Sequence, residues 1–256
     1  MTRSDGARGR EALARLLEDA RSAGEGGPSV TVFTGAGIST ECGVPDYRSP
    51  GSPWRVHAPI AFGDYMAEPA MRAEAWRRKF AMDDLYAGAR PGRGHRAVAR
   101  WAASGLVRTV VTQNIDGLHL AAGAAGDDIV ELHGNGSYAR CLNCGERHDL
   151  APIRSRFERD GTLPECRCGG VVKSASVAFG QALAPADVRR AVDASLGCTL
   201  FIVLGSTLLV RPAARFPELA PRNGARLAIV NREPTPLDGE ADLVIRGDIG
   251  DLLDPL

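Results

Sequence analysis

Five short stretches of this chain share one design: a nearly unbroken apolar, β-branched run that stops abruptly at polar or glycine residues. SVTVFT at 29–34 runs into Gly35, Ala36 and Gly37, and VRTVVT at 107–112 ends in Gln113, Asn114, Ile115 and Asp116. IVEL at 129–132 delivers His133 to Gly134, TLFIVL at 199–204 ends in Gly205, Ser206 and Thr207, and RLAIV at 226–230 ends in Asn231, Arg232 and Glu233. Continuous rather than alternating apolar runs are the pattern of parallel strands buried on both faces. Helical stretches at 94–104 and 185–196 separate them, and residues 11–23 place Leu13, Leu16, Leu17 and Ala20 on one helical face. The alternation predicts an open α/β sheet. Ligands of such sheets lie outside the carboxyl ends of the strands, where all these polar groups collect.

Two segments break the rhythm. Residues 46–93 are rich in Pro, Gly and aromatics with a helical middle, and residues 138–180 hold four of the six cysteines. Both are read as insertions that together form a smaller lobe, leaving 10–45, 94–137 and 181–256 to the large lobe of a single domain spanning 1–256. A chain of 256 residues with 44% hydrophobic and 24% charged residues has ample material for one core. Lys+Arg and Asp+Glu both total 31, so nothing draws the chain in bulk to nucleic acid or an anionic membrane. The N-terminus is polar, and the longest apolar run, 199–210, is interrupted at Gly205 and shorter than the roughly 20 residues a bilayer requires. A cytoplasmic protein without membrane or nucleic-acid partners is expected.

Gly35 and Gly37 after a strand suggest a phosphate turn, because glycine lets the backbone approach a pyrophosphate. The common dehydrogenase fingerprint would require a third glycine where Thr40 stands and an acidic residue near His57, so the turn alone leaves an ordinary strand-to-helix connection open. The cysteines speak more specifically. Cys141 and Cys144, then Cys166 and Cys168, form two close pairs on turn-like sequence, and four thiolates can close a tetrahedral zinc site with a structural role. Among five histidines, His57 and His148 carry no signal, and His95 and His119 read as cap or packing residues. His133 stands at a strand end beside a glycine turn, where a general base near neutral pH is the obvious use.

Taken in order, residues 35–48 (GAGISTECGVPDYR), 112–119 (TQNIDGLH), 131–134 (ELHG), the paired cysteines, Phe179-Gly180, Gly205-Ser206-Thr207 and Asn231-Arg232-Glu233 resemble sirtuins over residues 10 to 253. The resemblance implies a Rossmann-like open parallel sheet with a smaller lobe made of a zinc-binding module and a helical insertion. It implies an NAD-dependent protein lysine deacylase that consumes NAD, holds one structural zinc and takes an acylated protein or peptide as partner. Nicotinamide would leave the ribose as the acyl oxygen takes its place at C1′. His133 would be the base, Asn114 would orient the ribose or a water, and Asp116 with Ile115 would hold the nicotinamide carboxamide. Ala36, Pro45, Asp46, Tyr47 and Arg48 would belong to the loop closing over NAD. Gly205, Ser206, Asn231, Arg232 and Glu233 would line the adenosine side, with Gly35, Gly37, Gln113, Thr207 and Ile249 completing the cofactor site. Val177, Phe179 and Gly180 would receive the acyl-lysine by pairing its backbone as an added strand.

Departures from the family pattern fall mostly in the peptide cleft: Ser174 and Ser176 replace Pro and Val, Gln181 replaces Glu, and Tyr47 replaces Phe. The motifs at 39–41 and 46–49 resemble the mitochondrial class that includes weak deacylases and ADP-ribosyl transferases. ADP-ribosyl transfer or NAD hydrolysis, and a non-catalytic NAD-sensing protein, are therefore the alternatives. Sirtuins that accept succinyl groups carry Tyr-x-x-Arg on the helical insertion. Here the stretch is Ala75-Trp76-Arg77-Arg78, which predicts a preference for neutral acyl groups, with Trp76 either walling the acyl site or packed in the small lobe.

Overall fold

The computed structural model describes residues 3–22, 29–46, 52, 59–254 and 256. Among these, six strands form the main sheet: β1 (Val30–Thr34), β2 (Val107–Thr112), β3 (Ile129–Glu131), β7 (Leu200–Leu204), β8 (Arg226–Val230) and β9 (Leu243–Ile245). Their order is β3-β2-β1-β7-β8-β9, and every neighbouring pair is parallel. β1 and β7, in the middle, are buried at every residue, as their unbroken apolar runs predict. The helices Arg3–Ser22, Arg93–Ala103 and Ile249–Leu253 bury Leu13, Ala97, Trp101 and Leu252 on one face of the sheet. Pro185–Gly197 and Phe216–Arg222 bury Ala191, Phe216 and Ala220 on the other.

The chain winds outward from β1 to β3, then returns to start again at β7 on the opposite side of β1. The two halves diverge between β1 and β7, which is the switch point where open sheets of this order bind ligands. There the Gly35–Gly37 turn touches the Gly205 loop. The Gly35 amide donates to the Leu204 carbonyl at 3.0 Å and the Gly37 amide to the Gly205 carbonyl at 2.9 Å. A Cβ on Gly37 would lie 2.6 Å from the Gly205 Cα, and Gly205 itself has φ +65°. The first task of these glycines is thus to bring two backbone loops into contact. The Gly35 and Gly37 amides are spent on the β7 side, so they are not turned outward as the phosphate-turn reading supposes, and the Gly205 amide is spent on Val230.

β4 (Gly134–Cys141), β5 (Arg147–Asp149) and β6 (Val172–Ser176) make a second, antiparallel sheet of order β5-β4-β6. The helix Pro69–Leu85 lays Trp76 and Phe80 against Ala139, Ile153 and Val172 of this unit. The two rings stack with centroids 5.5 Å apart, and the Tyr65 hydroxyl donates to the Val172 carbonyl at 2.9 Å. The helical insertion and the cysteine segment therefore share a core separate from those of the main sheet. Trp76 is 2% exposed and packs in this core, and it also stands in the wall of the cavity described below.

Several elements escape the sequence reading, among them β4–β6 and the helices Leu150–Asp160 and Phe216–Arg222. β9 has three residues, too few for a periodic signal, and the short helix Ile249–Leu253 follows it. The first helix also begins at Arg3 and not near residue 11; Gly9 within it lies close to Ile245, where a Cβ would come 2.9 Å from its methyl.

Candidate active site

Each strand end is tied to its neighbour. The Gln113 amide donates to the Thr34 carbonyl at 3.0 Å, and its side-chain Nε2 reaches the Ser206 hydroxyl at 2.8 Å, bridging β2 to β7. The Gly205 amide donates to Val230, and the Asn231 amide to Ile245. Along this edge opens a cavity of about 1080 Å³. Its wall takes in Gly35, Ala36, Gly37 and Asp46 from the β1 side. Gly205, Ser206 and Thr207, with Asn231, Arg232, Glu233 and Ile249, come from the β7–β9 side. Gln113, Asn114, Ile115 and His133 come from β2 and β3, and Val177, Phe179 and Gly180 from the chain after β6. Pro45 is not in the wall, and Tyr47 and Arg48 lie outside the described residues.

His133 is held by the turn that follows it. Gly134 has φ +70°, and a Cβ there would lie 2.0 Å from the Ala175 carbonyl oxygen, so β4 and β6 close up only around glycine. The His133 carbonyl in turn accepts from the Val177 amide at 2.7 Å, which links the histidine to the cleft strand. Its Nδ1 lies 2.9 Å from the Gln113 carbonyl oxygen. A carbonyl can only accept, so Nδ1 carries the proton and Nε2 is the free base. Burial lowers its pKa, partly offset by this hydrogen bond.

Asp116 is half-buried in the loop after β2. It is not in the cavity wall; Oδ2 accepts from the Ser39 hydroxyl at 2.7 Å, and Oδ1 from the Leu118 amide at 2.9 Å. Ser39 joins three groups. Its only proton goes to Asp116, so it accepts from Asn114 Nδ2 at 3.1 Å and from His95 Nε2–H at 3.3 Å. His95 Nδ1 is then the acceptor for the Gly92 amide at 3.3 Å, the cap contact expected of it. His119 is the second buried imidazole, packed edge-on against His95 with centroids 5.0 Å apart. Thr34 spends its proton on Thr112 at 2.8 Å and accepts from His119 Nε2–H at 2.9 Å, while Thr112 accepts the Asn114 amide at 3.0 Å. Burial pushes the His119 pKa down to about 3 and lowers that of His95. Two neutral histidines thus brace the Asn114–Asp116 loop from beneath. Both sit at the start of helices, Arg93–Ala103 and Leu118–Ala121, where they read as cap or packing residues; only the tertiary contacts reveal Ser39 and His95 as supports of the site.

The cleft end is built from β6 onward. Phe179 is 55% exposed, and its carbonyl accepts from the Phe62 amide at 2.8 Å, tying it to the helical insertion. Gln181 closes the turn: its Oε1 accepts from the Ala178 amide at 3.1 Å. Ser174 and Ser176 place their hydroxyls 3.3 Å apart, and both residues line the cavity. Sequence reasoning misses Lys173. It is buried, and its ammonium donates to the carbonyls of Ser174, at 3.0 Å, and Ser176, holding the strand that leads to Val177. Burial lowers its pKa to about 8. On the insertion, Arg78 lines the cavity but its Nε donates to Glu74 at 2.7 Å.

The four cysteines converge as their spacing predicts. Cys141 and Cys168 sulfurs are 3.5 Å apart, Cys144 and Cys166 3.6 Å, and all four lie within 4.8 Å of one another. Zn–S bonds of about 2.3 Å separate the sulfurs of a tetrahedral site by roughly 3.8 Å, so this set fits zinc. Four thiolates leave no position for a reacting group. β4 carries the chain from Gly134 to Cys141, about 23 Å at strand rise, so the cage stands away from His133.

A model of the Sir2 family matches residues 35–212. The NAD-dependent protein deacetylase 1 of Bradyrhizobium diazoefficiens is 49% identical over 253 residues, 98% of this chain and 96% of that protein. The NAD-dependent protein deacetylase of Rhodopseudomonas palustris is 53% identical over 228 residues, 89% of this chain and 90% of that protein. Among solved structures, a Sir2 complex with p53 peptide and NAD+ superposes with a TM-score of 0.82 at 31% identity, covering 96% of this chain and 95% of that one. A Sir2 complex with deacetylated p53 peptide and 3′-O-acetyl-ADP-ribose gives 0.82 at 30% identity, covering 95% of each chain. Sequence over most of the chain and backbone over nearly all of it agree: the chain belongs to the Sir2 family.

Proposed function

We propose that this protein removes acetyl and other neutral acyl groups from protein lysines at the expense of NAD, releasing nicotinamide and O-acyl-ADP-ribose. The observation that carries the reading is His133: one neutral imidazole, its Nδ1 pinned to Gln113 and its Nε2 unprotonated, in the wall of a cavity shared by the strand-end loops and the cleft strand. The relatives' names and their complexes with NAD, acetylated peptide and O-acetyl-ADP-ribose support it.

The residues present fit NAD. Ser206, Asn231 and Gln113 offer polar groups at the switch point, and the Gly35–Gly37 and Gly205 backbones leave that edge free of side chains. When bound, NAD supplies a leaving group and an electrophilic ribose carbon. The chain does the rest. Arg232, Glu233, Asn231, Thr207 and Ile249 bind the adenosine half, and Ala36, Pro45, Asp46, Tyr47 and Arg48 cover the nicotinamide half. Asn114 orients the ribose, Asp116 with Ile115 holds the nicotinamide carboxamide while Asp116 also fixes Ser39, and His133 Nε2 takes the ribose hydroxyl proton. Val177, Phe179 and Gly180 bind acyl-lysine as an added strand. Cys141, Cys144, Cys166 and Cys168 hold a structural zinc.

The lobe division at 46–93 and 138–180 belongs to the same reading, supported by the separate core around Trp76. No helix among the described residues is long and apolar enough to cross a membrane. A thiolate cage suits a reducing compartment, which supports a cytoplasmic location. The test is nicotinamide release from NAD with and without acetyl-lysine peptide. Release that depends on the peptide supports deacylation; release at the same rate without it supports NAD hydrolysis and refutes this proposal.

A further inference from the structure

Beside the four-cysteine cage, Glu146, His148 and Cys166 form a second cluster whose donor atoms lie within 4.8 Å of one another. Cys166 belongs to both groups. With its proton in place, the Cys166 thiol donates to Glu146 Oε2 at 3.1 Å. Zinc binding removes that proton, because the ligand is the thiolate. A carboxylate oxygen and a thiolate sulfur are then left in contact, on the edge of a cage whose four thiolates already outweigh the charge of one zinc ion. Two nearby arginines are turned to the Tyr138 ring, Arg147 at 3.9 Å and Arg140 at 5.8 Å. The third member is an orphan. His148 Nε2 is buried without a hydrogen-bond partner, while the pairing of β5 with β4, Ala139 opposite His148, fixes its backbone.

A cation between these three groups would resolve the repulsion and satisfy the imidazole together. We propose that Glu146, His148 and Cys166 form a second divalent-metal site, with the Cys166 thiolate bridging it to the structural zinc. One sulfur, one nitrogen and one oxygen are a borderline donor set that suits Zn²⁺ or Co²⁺ and not Mg²⁺ or Ca²⁺. Three protein ligands leave a fourth position for water. Bonds of about 2.0–2.3 Å set donors roughly 3.3–3.8 Å apart, so the widest pair closes by about an ångström of side-chain rotation. Glu146 is exposed and free to make that movement. The proposal rests on the four-cysteine zinc reading and is independent of the deacylase reading.

The zinc-loaded full chain is dialysed against Co²⁺, and bound metals are counted by mass spectrometry alongside the visible spectrum. The expected result is one zinc retained and one cobalt gained, with a thiolate-to-cobalt charge-transfer band because the new ion sits on Cys166. Glu146→Gln and His148→Ala should each weaken cobalt binding at least about tenfold while keeping the zinc. The site is overturned if no cobalt binds, if cobalt merely replaces zinc, if the thiolate band is missing, or if neither variant changes the affinity. A chain that purifies without any metal would overturn the four-cysteine reading as well.

Discussion

Burial and one backbone acceptor give His133 the character of a base that is ready at neutral pH. Its folded pKa lies below the ordinary 6.5, so the imidazole stays unprotonated as pH falls through that value. The acid limb of kcat/KM for acetyl-peptide at saturating NAD should therefore fall below pH 6.5; a limb above it would contradict the assignment. His133→Ala should lower turnover by roughly 10²- to 10⁴-fold with NAD affinity nearly unchanged, since a base contributes to the transition state more than to ground-state binding. Titration of NAD binding beside single-turnover rates checks both halves. The strand-end position of His133 was legible in the sequence, as were Asn114 and the Ser206 loop. The contact of Asp116 with Ser39 and the roles of Ser39, His95 and Lys173 were not, because each is defined by contacts 50 or more positions away or by a carbonyl pattern that sequence does not display.

At the scale of elements, two insertions act as one. The helix Pro69–Leu85 contributes Trp76 and Phe80 to the core that the zinc module cannot complete alone. Zinc removal by a strong chelator should unfold this unit while the main sheet persists, because structural zinc contributes its binding free energy to folding. Hydrogen exchange would then rise in β4–β6 and stay low in β1 and β7; uniform loss, or no change, would refute it. The same helix sets acyl preference. Arg78 reaches the cavity already hydrogen-bonded to Glu74, and Ala75 offers no hydroxyl, so an acyl carboxylate would lose water without a full set of partners. The ratio of kcat/KM for acetyl- and succinyl-peptides of one sequence should favour acetyl at least tenfold. The helical middle of 46–93 was legible in the sequence here, but β4–β6 and the shared core were not, since nothing in either segment alone points to the other.

The whole molecule is a sheet wound outward from a central pair, with its polar loops gathered at the β1–β7 switch point. Continuous apolar runs made this architecture readable; the three-residue β9 and the contact of Gly37 with Gly205 were not, being products of the sheet's edge and of loop packing. Burying histidines beneath the site has a cost in acid. His119 takes a proton near 6.5 when unfolded but only at about pH 3 in the fold, so the unfolded chain holds more protons between those values. Its contribution is complete above about pH 6.5 and is lost as pH falls toward 3, by at most about 1.4 kcal/mol per unit. Denaturant midpoints measured from pH 7 to 4 should decline, and His119→Asn should flatten the slope. The central claim, that one cavity couples NAD cleavage to acyl transfer, is tested most directly by product analysis of a single turnover with acetyl-peptide. Nicotinamide, deacetylated peptide and O-acetyl-ADP-ribose should form in equal amounts. Free acetate beside unmodified ADP-ribose from the first turnover, or nicotinamide formed in excess of deacetylated peptide, would contradict the account.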